Sequence, residues 1–202
     1  MPIITEPGLA IGSQLIQHFE GQVLHPYQDI RGIWTIGNGN TTLLDGTPVA
    51  ADTAPITAEQ CDELRERTLR EKVAPALNAM LTTVLSDHEQ GALLSLVWNI
   101  GNTAFRTSTL RAMINLHFLV SAGRHFVDWC HAGGNLCVPL LNRRRAEQVV
   151  WNTGDVAGAI VPALHEIMQT KAAPASAAPA APAAQTADDL NSAELAHIQE
   201  GV

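Results

Sequence analysis

Basic residues are scarce in this chain. Its 202 residues hold 12 Lys and Arg against 20 Asp and Glu, for a formal net charge of −8. A broad basic footprint, which phosphate-rich partners demand, is missing, so nucleic acid is excluded as the principal partner. Cysteine is sparse and odd in number, with Cys61, Cys130 and Cys137 alone. Such usage predicts reduced, partly buried thiols rather than a disulfide framework. Cys130 and Cys137 could close a short disulfide loop, and His125 and His131 lie near them in sequence. That spacing matches none of the strong zinc patterns, so no metal site is expected. No stretch approaches the run of about 18 apolar residues that a membrane span requires. Residues 1–7 show neither the basic nor the apolar segment of a secretory leader, so synthesis in the cytoplasm without a signal peptide is expected.

Apolar residues are plentiful, at 46%, enough to build a core without disulfides or metals. The length suits one domain of about 150 residues with an appendage. Residues 8–19 place Leu9, Leu15, Ile16 and Phe19 at helical spacing, with Gly21 as the stop. Between 24 and 49, Pro26, Gly32, Gly37, Gly39, Asp45-Gly46 and Pro48 punctuate short stretches such as Ile33-Trp34-Thr35-Ile36, a hairpin texture. Thr57-Ala58-Glu59-Gln60 and Ser86-Asp87-His88-Glu89 read as capping boxes opening two helices. Pro75 should break or restart the first of them. Further helices are expected over 107–116, 120–129 and 140–151, with Asp155 capping a last one toward Met168. The pattern is α+β, with a small hairpin lobe early and a helical lobe after it. Residues 1–168 are assigned to this domain. Residues 172–184 are Ala or Pro except for Ser176, so 169–187 reads as a linker. The acidic tail 188–202, with Leu190, Leu195 and Ile198, reads as solvated or as a short helix.

Two carboxylates bracket the first turn of the hairpin region. Glu20 stands where the first helix ends, and Asp29 stands in the Gly-rich segment that follows, with the Thr35 hydroxyl beyond. Glycosidic hydrolysis needs one protonated carboxyl to feed the leaving oxygen and one ionised carboxylate on the other side of the sugar. Glu20, beside Phe19, faces desolvation, which favours the protonated form of an acid. Asp29, among glycines, should stay solvated and ionised. Glu20 is therefore read as general acid, Asp29 as base or electrostatic partner, and Thr35 as a holder of the attacking water.

Phe19-Glu20-Gly21, Leu24, Tyr27-Gln28-Asp29, Gly32 and Trp34-Thr35-Ile36-Gly37 together resemble the active-site segment of the phage-type lysozymes, glycoside hydrolase family 24. Trp98-Asn99-Ile100-Gly101 with Ser108-Thr109-Leu110, and Asn142-Arg143-Arg144-Arg145-Ala146-Glu147, are similar to two later blocks of that family. The resemblance runs over residues 8–155. It implies a two-lobed fold with the glycan in the cleft between the lobes. It also implies cleavage of the β-1,4 bond between N-acetylmuramic acid and N-acetylglucosamine, with Glu20, Asp29 and Thr35 as the catalytic set. It further implies that Arg143 orients Glu20 while opposing its desolvation, and that Asn99 lines the sugar site. Arg144 and Arg145 are read as a solvated helix face, and the four tryptophans as core. Two positions depart from the family. Asn40 replaces its usual His, from which altered local stability or pH response is expected, and Pro139 stands where Gly is usual before the last block. No cofactor is implied. The expected partner is the peptidoglycan glycan strand, reached by a monomer through a holin or another export route for host lysis, or as a secreted effector. A lytic transglycosylase would need the Glu alone, so Asp29 and Thr35 argue against it. The other alternative is a peptidoglycan-binding protein or prophage relic without activity.

Overall fold

The computed structural model describes residues 4–29 and 31–160. The expected linker 169–187, the tail 188–202 and the extension toward Met168 lie outside the described residues.

The first helix, α1 (Glu6–Glu20), starts at Thr5, whose Oγ1 accepts from the Gly8 N–H at 3.1 Å. This satisfies one of the donors that a helix start leaves open. Leu9, Leu15 and Ile16 form its buried stripe. The helix ends at Gly21, which adopts φ 66° while its N–H still bonds Gln17 O. Only glycine takes that φ cheaply. The turn there sends the chain away from the helix immediately after Glu20.

Strands β1 (Val23–Gln28) and β2 (Trp34–Gly37) pair antiparallel, with Tyr27 opposite Thr35 and Gln28 opposite Trp34. The register breaks between Val23 and Tyr27, where Pro26 has no N–H to give the ladder. A small core of Ile36, Val49, Ile56, Cys61 and Leu64 sits under this lobe.

Helix α2 (Ala58–Thr68) opens at Thr57 with the expected reciprocal cap to Gln60. A π-helical turn, Leu69–Val73, follows, and then α3 (Ala74–Met80) with Pro75 in its first turn. Pro75 does not end the helix. The wider turn lets the Ala74 N–H reach back to Leu69 O, so no bond depends on the missing proline N–H. The continuous path from 58 to 80 joins the two lobes.

The helical lobe is built on α4 (Asp87–Ile100), around which α5 (Asn102–Arg106), α6 (Thr109–Asn115), α7 (Leu119–Gly123), α8 (Val138–Thr153) and α9 (Val156–Ile160) are arranged. Residues 120–129, expected as one helix, split into α7 and a 3₁₀ segment, Arg124–Trp129. Pro139 falls in the first turn of α8, where its missing N–H costs nothing. Asp155 Oδ1 accepts from the Gly158 N–H at 2.8 Å, capping α9 as expected. Two elements were not anticipated. One is α5. The other is the short hairpin of β3 (His131–Ala132) and β4 (Asn135–Leu136), turned by Gly133 and Gly134, both at positive φ, a two-residue turn signal.

The core of this lobe includes Leu15, Ile16, Leu93, Leu94, Phe105, Phe126 and Trp151. Helices α1 and α4 approach most closely at Gly12 and Gly91. A Cβ on Gly91 would lie 2.2 Å from Ile11 Cγ2 and 2.5 Å from Ile11 Cβ. Alanine would favour the helix by up to about 1 kcal/mol, but overpacking costs about 1–3 kcal/mol. Gly91→Ala should therefore lower stability, seen as a lower urea midpoint at unchanged slope. A midpoint at or above wild type would show that the helices separate at no cost.

Candidate active site

Glu20, on the last turn of α1, keeps 17% of its side chain exposed and pairs with Arg143 on α8, whose Nη1 lies 2.5 Å from Glu20 Oε1. Arg143 is held from several sides. Its Nε donates to Glu147 Oε1 at 3.1 Å and its Nη2 to Ser95 O at 3.2 Å. Its guanidinium carbon stands 5.4 Å from the centre of the Phe19 ring, a cation–π distance. Arg144 is a correction to the sequence reading. It is not on a solvated face but is fully buried, as is Glu147, while Arg145 is exposed. Arg144 Nη2 donates to Glu147 Oε1 at 3.2 Å. Burial pulls the Arg144 guanidinium down to about 10, and the Glu147 charge opposes that shift. It remains a cation at neutral pH.

Across from this cluster, the hairpin carries Asp29, Thr35 and Tyr27. Asp29 Oδ1 accepts from the backbone N–H groups of Ile33 and Arg31, each at 2.9 Å. Arg31 Nη2 stands 3.5 Å from Oδ2. The Ile33 N–H foremost, then the Arg31 N–H and charge, hold the Asp29 carboxyl below its usual range. Thr35 is buried, and its hydroxyl donates to Ile33 O at 2.9 Å. Burial pushes the Tyr27 phenol up, and the charges of Asp29 and Glu20 both add to that rise. Tyr27 therefore feels the charge of both carboxylates.

The lobes are tied beside this point. Arg65 on α2 donates to Ser13 Oγ at 2.8 Å and Asn38 Oδ1 at 3.3 Å, and Asn38 Nδ2 donates to Gly21 O at 2.6 Å. The residue after Glu20 is thus fixed to the loop after β2. Next to it a cavity of about 510 Å³ is lined by Asn40, Thr68, Lys72, Trp98, Gly101 and Asn102, among others. Asn40 Nδ2 donates to Thr68 Oγ1 at 3.0 Å, a neutral pair with no proton to lose. The amide oxygens of Asn40 and Asn102 are buried and make no hydrogen bond, and that of Asn40 points toward Gly37. Asn99 is half-buried in the last turn of α4 and is not among the lining residues.

The two-lobed α+β fold is that of the lysozyme class of hydrolase, and comparison with known proteins agrees. The sequence profile of the phage lysozyme family matches residues 17–147. The endolysin of Salmonella phage P22 is 37% identical over 140 residues, covering 69% of this chain and 94% of that protein. The SAR-endolysin of Enterobacteria phage P21 is 33% identical over 148 residues, covering 70% of this chain and 86% of that protein. A crystal structure of a P22 lysozyme mutant aligns with TM-score 0.66 at 35% identity, over 76% of this chain and 100% of that one. The muramidase domain of SpmX from Asticaccaulis excentricus aligns with TM-score 0.62 at 28% identity, over 76% of this chain and 99% of that one. The chain belongs to the phage lysozyme family.

Of the residues singled out from sequence, Glu20 and Arg143 are in direct contact, and Asp29 and Thr35 share the facing hairpin. Tyr27, Ser95 and Glu147 were not given a role from sequence, and Arg144 was read as solvated. The signal for Glu147 was present, since Arg143 and Arg144 precede it at helical i,i+4 and i,i+3 spacing. Ser95 carries no such signal, because it comes from another helix.

The folded-state pKa of Asp29 lies below its unfolded value. Its stabilising contribution is therefore fully present above the unfolded pKa and is lost as pH falls through the folded one. Carboxyl-detected NMR titration of the folded protein should place the Asp29 midpoint below the ordinary 3.8. A midpoint at or above that value would contradict the hydrogen-bond pattern.

Proposed function

We propose that this protein is an endolysin that hydrolyses the β-1,4 bond between N-acetylmuramic acid and N-acetylglucosamine in peptidoglycan. The observation that carries the reading is the placement of Glu20 on Arg143 at the end of α1 and of Asp29 on backbone N–H groups in the hairpin that follows it. Glu20 is the general acid that protonates the leaving glycosidic oxygen. Arg143 contacts it through Oε1, and the proton is carried on Oε2. Asp29 is the ionised partner, kept so by the two N–H donors and Arg31, and it takes a proton from water or stabilises positive charge on the ring. Thr35 commits its proton to Ile33 O, which leaves its lone pairs to accept from that water and orient it. Arg143 holds the Glu20 carboxyl in position. Asn99, in the last turn of α4, makes contact with the glycan.

The enzyme acts as a monomer on the cell wall during host lysis, and a holin or equivalent route delivers it. The SAR-endolysin names among its relatives fit a role tied to membrane passage. No described helix is long and apolar enough to cross a membrane.

Loss of turbidity of purified sacculi, with assay of new reducing ends, tests the reading. Wild type should release reducing ends, and Glu20→Gln should be slower by about 10²–10⁴-fold, the usual worth of a general acid. Binding without release would favour the non-catalytic alternative, and anhydro ends would favour a transglycosylase. Equal rates for both proteins would remove Glu20 from its role. Arg143→Ala should lower the rate and move the pH profile. If both stay at wild type, Arg143 does not orient the acid.

A further inference from the structure

The catalytic reading uses Glu20, Asp29, Thr35 and Arg143, yet the most completely buried acid near them is a fourth carboxylate, Glu147. It has no exposed surface. Its Oε1 is met by three donors, while Oε2 has no hydrogen-bond partner. Ser95 Oγ on α4 donates to Glu147 Oε1 at 2.6 Å. Arg143 Nε and Arg144 Nη2 donate to the same oxygen at 3.1 Å and 3.2 Å. Arg144 Nε stands 3.0 Å from the other oxygen. One buried carboxylate therefore receives three donors on one atom and is flanked by two guanidiniums.

We infer that Glu147 is a positioning residue for the reaction, which, with Ser95, fixes the orientation of Arg143 and balances its charge, so that Glu20 can hold a proton while still being gripped. The reasoning is geometric. Arg143 is a fork with one prong, Nη1, on Glu20. Its root, Nε, is on Glu147 and its other prong, Nη2, is on Ser95 O. With root and second prong fixed, the first prong has one place to go. A flexible arginine would lose rotamer freedom each time it met Glu20, whereas this one is already ordered.

The charge argument runs in the same direction. Two buried cations, Arg143 and Arg144, stand beside Glu20, and without a counter-charge they would favour its ionised form. A general acid must be protonated to act. Glu147 supplies the second negative charge, so two cations face two carboxylates. The other groups facing this cluster are Tyr27 and Asp29 from the hairpin and Cys130 at the end of the 3₁₀ segment. The charges of Cys130 and Glu20 both reach Arg144, and those of Glu20 and Asp29 reach Tyr27. Among these, Glu147 alone is an acid in hydrogen-bond contact with both guanidiniums.

This inference rests on the assignment of Glu20 as the acid, and the experiment separates the two. The pH dependence of kcat and the KM for soluble glycan strands are measured for wild type, Glu147→Gln, Glu147→Asp and Ser95→Ala, with Glu20→Gln as reference and thermal melts to confirm folding. Glutamine keeps the shape and one acceptor but removes the charge. Glu147→Gln should move the alkaline limb of kcat to lower pH by about one unit, the scale of one charge withdrawn from a partly buried site. Its kcat at neutral pH should fall about tenfold, with KM within about twofold of wild type, as expected for lost transition-state stabilisation. Glu147→Asp, which keeps the charge, should restore the wild-type limb. Ser95→Ala keeps every charge, so it should lower kcat by a few-fold without moving the limb, and it carries the test if Glu147→Gln does not fold. A folded Glu147→Gln protein with unchanged kcat and limb, or an unfolded one together with an unchanged Ser95→Ala, overturns the inference. In those cases a Glu20→Gln protein that is still inactive leaves the acid assignment standing. If instead Glu20→Gln is active, that assignment falls and takes the inference with it.

Discussion

The arrangement depends on one side chain, Arg143, which links a carboxylate at the surface of the cleft to a carboxylate in the core. Arginine is suited to this because its donors point in fixed directions and it stays charged under all working conditions. A buried ion cluster is not a net source of stability, since desolvating each charge costs several kcal/mol before any attraction is counted. The cluster of Glu20, Arg143, Arg144 and Glu147 is better understood as a device for orientation. It links α1, α4 and α8, and it sets where the end of α1 stands relative to the hairpin.

The remaining architecture serves that position. Gly12 and Gly91 let α1 and α4 approach closely, which brings Ser95 on α4 within reach of α8. Gly21 turns the chain immediately after Glu20, so the acid projects from a helix end instead of a helix face. Arg65 ties the loop after β2 to α1 through Asn38 and Ser13. The hairpin then presents Asp29 on backbone donors of its own turn. The two acids thus have different surroundings: one leans on a side-chain network rooted in the helical core, and the other on a local loop. Two carboxylates intended for different protonation states require that kind of asymmetry.

Much of this was legible in the chain itself. The capping residues Thr57 and Ser86, the stop at Gly21 and the alternation of turn residues from Pro26 to Pro48 gave the lobes in the right order. The Glu20, Asp29 and Thr35 set was found because its spacing resembles one family's active-site segment. Local chemistry misled where tertiary packing overrode it. A run of three arginines in an acidic chain reads as a solvated face, yet Arg144 is fully buried, because its helix packs that side against α4 and the 3₁₀ segment. Residues 120–129 read as one helix and are two tighter pieces. Pro75 reads as a break or a restart, and the structure shows a restart: a π turn leads into α3, with Pro75 in its first turn.

The sequence by itself determined the class of fold and, through its resemblance to one family's motifs, singled out Glu20, Asp29 and Arg143. The fold class depends on local periodicity, capping and turn chemistry, which act over a few residues and leave a readable pattern. Tertiary structure alone decided that Ser95 and Glu147 stand behind Arg143, and that Tyr27 feels both carboxylates. Those relations join residues far apart in the chain, and they arise only when helices close to within a side chain's length and exclude the water that would otherwise separate the charges.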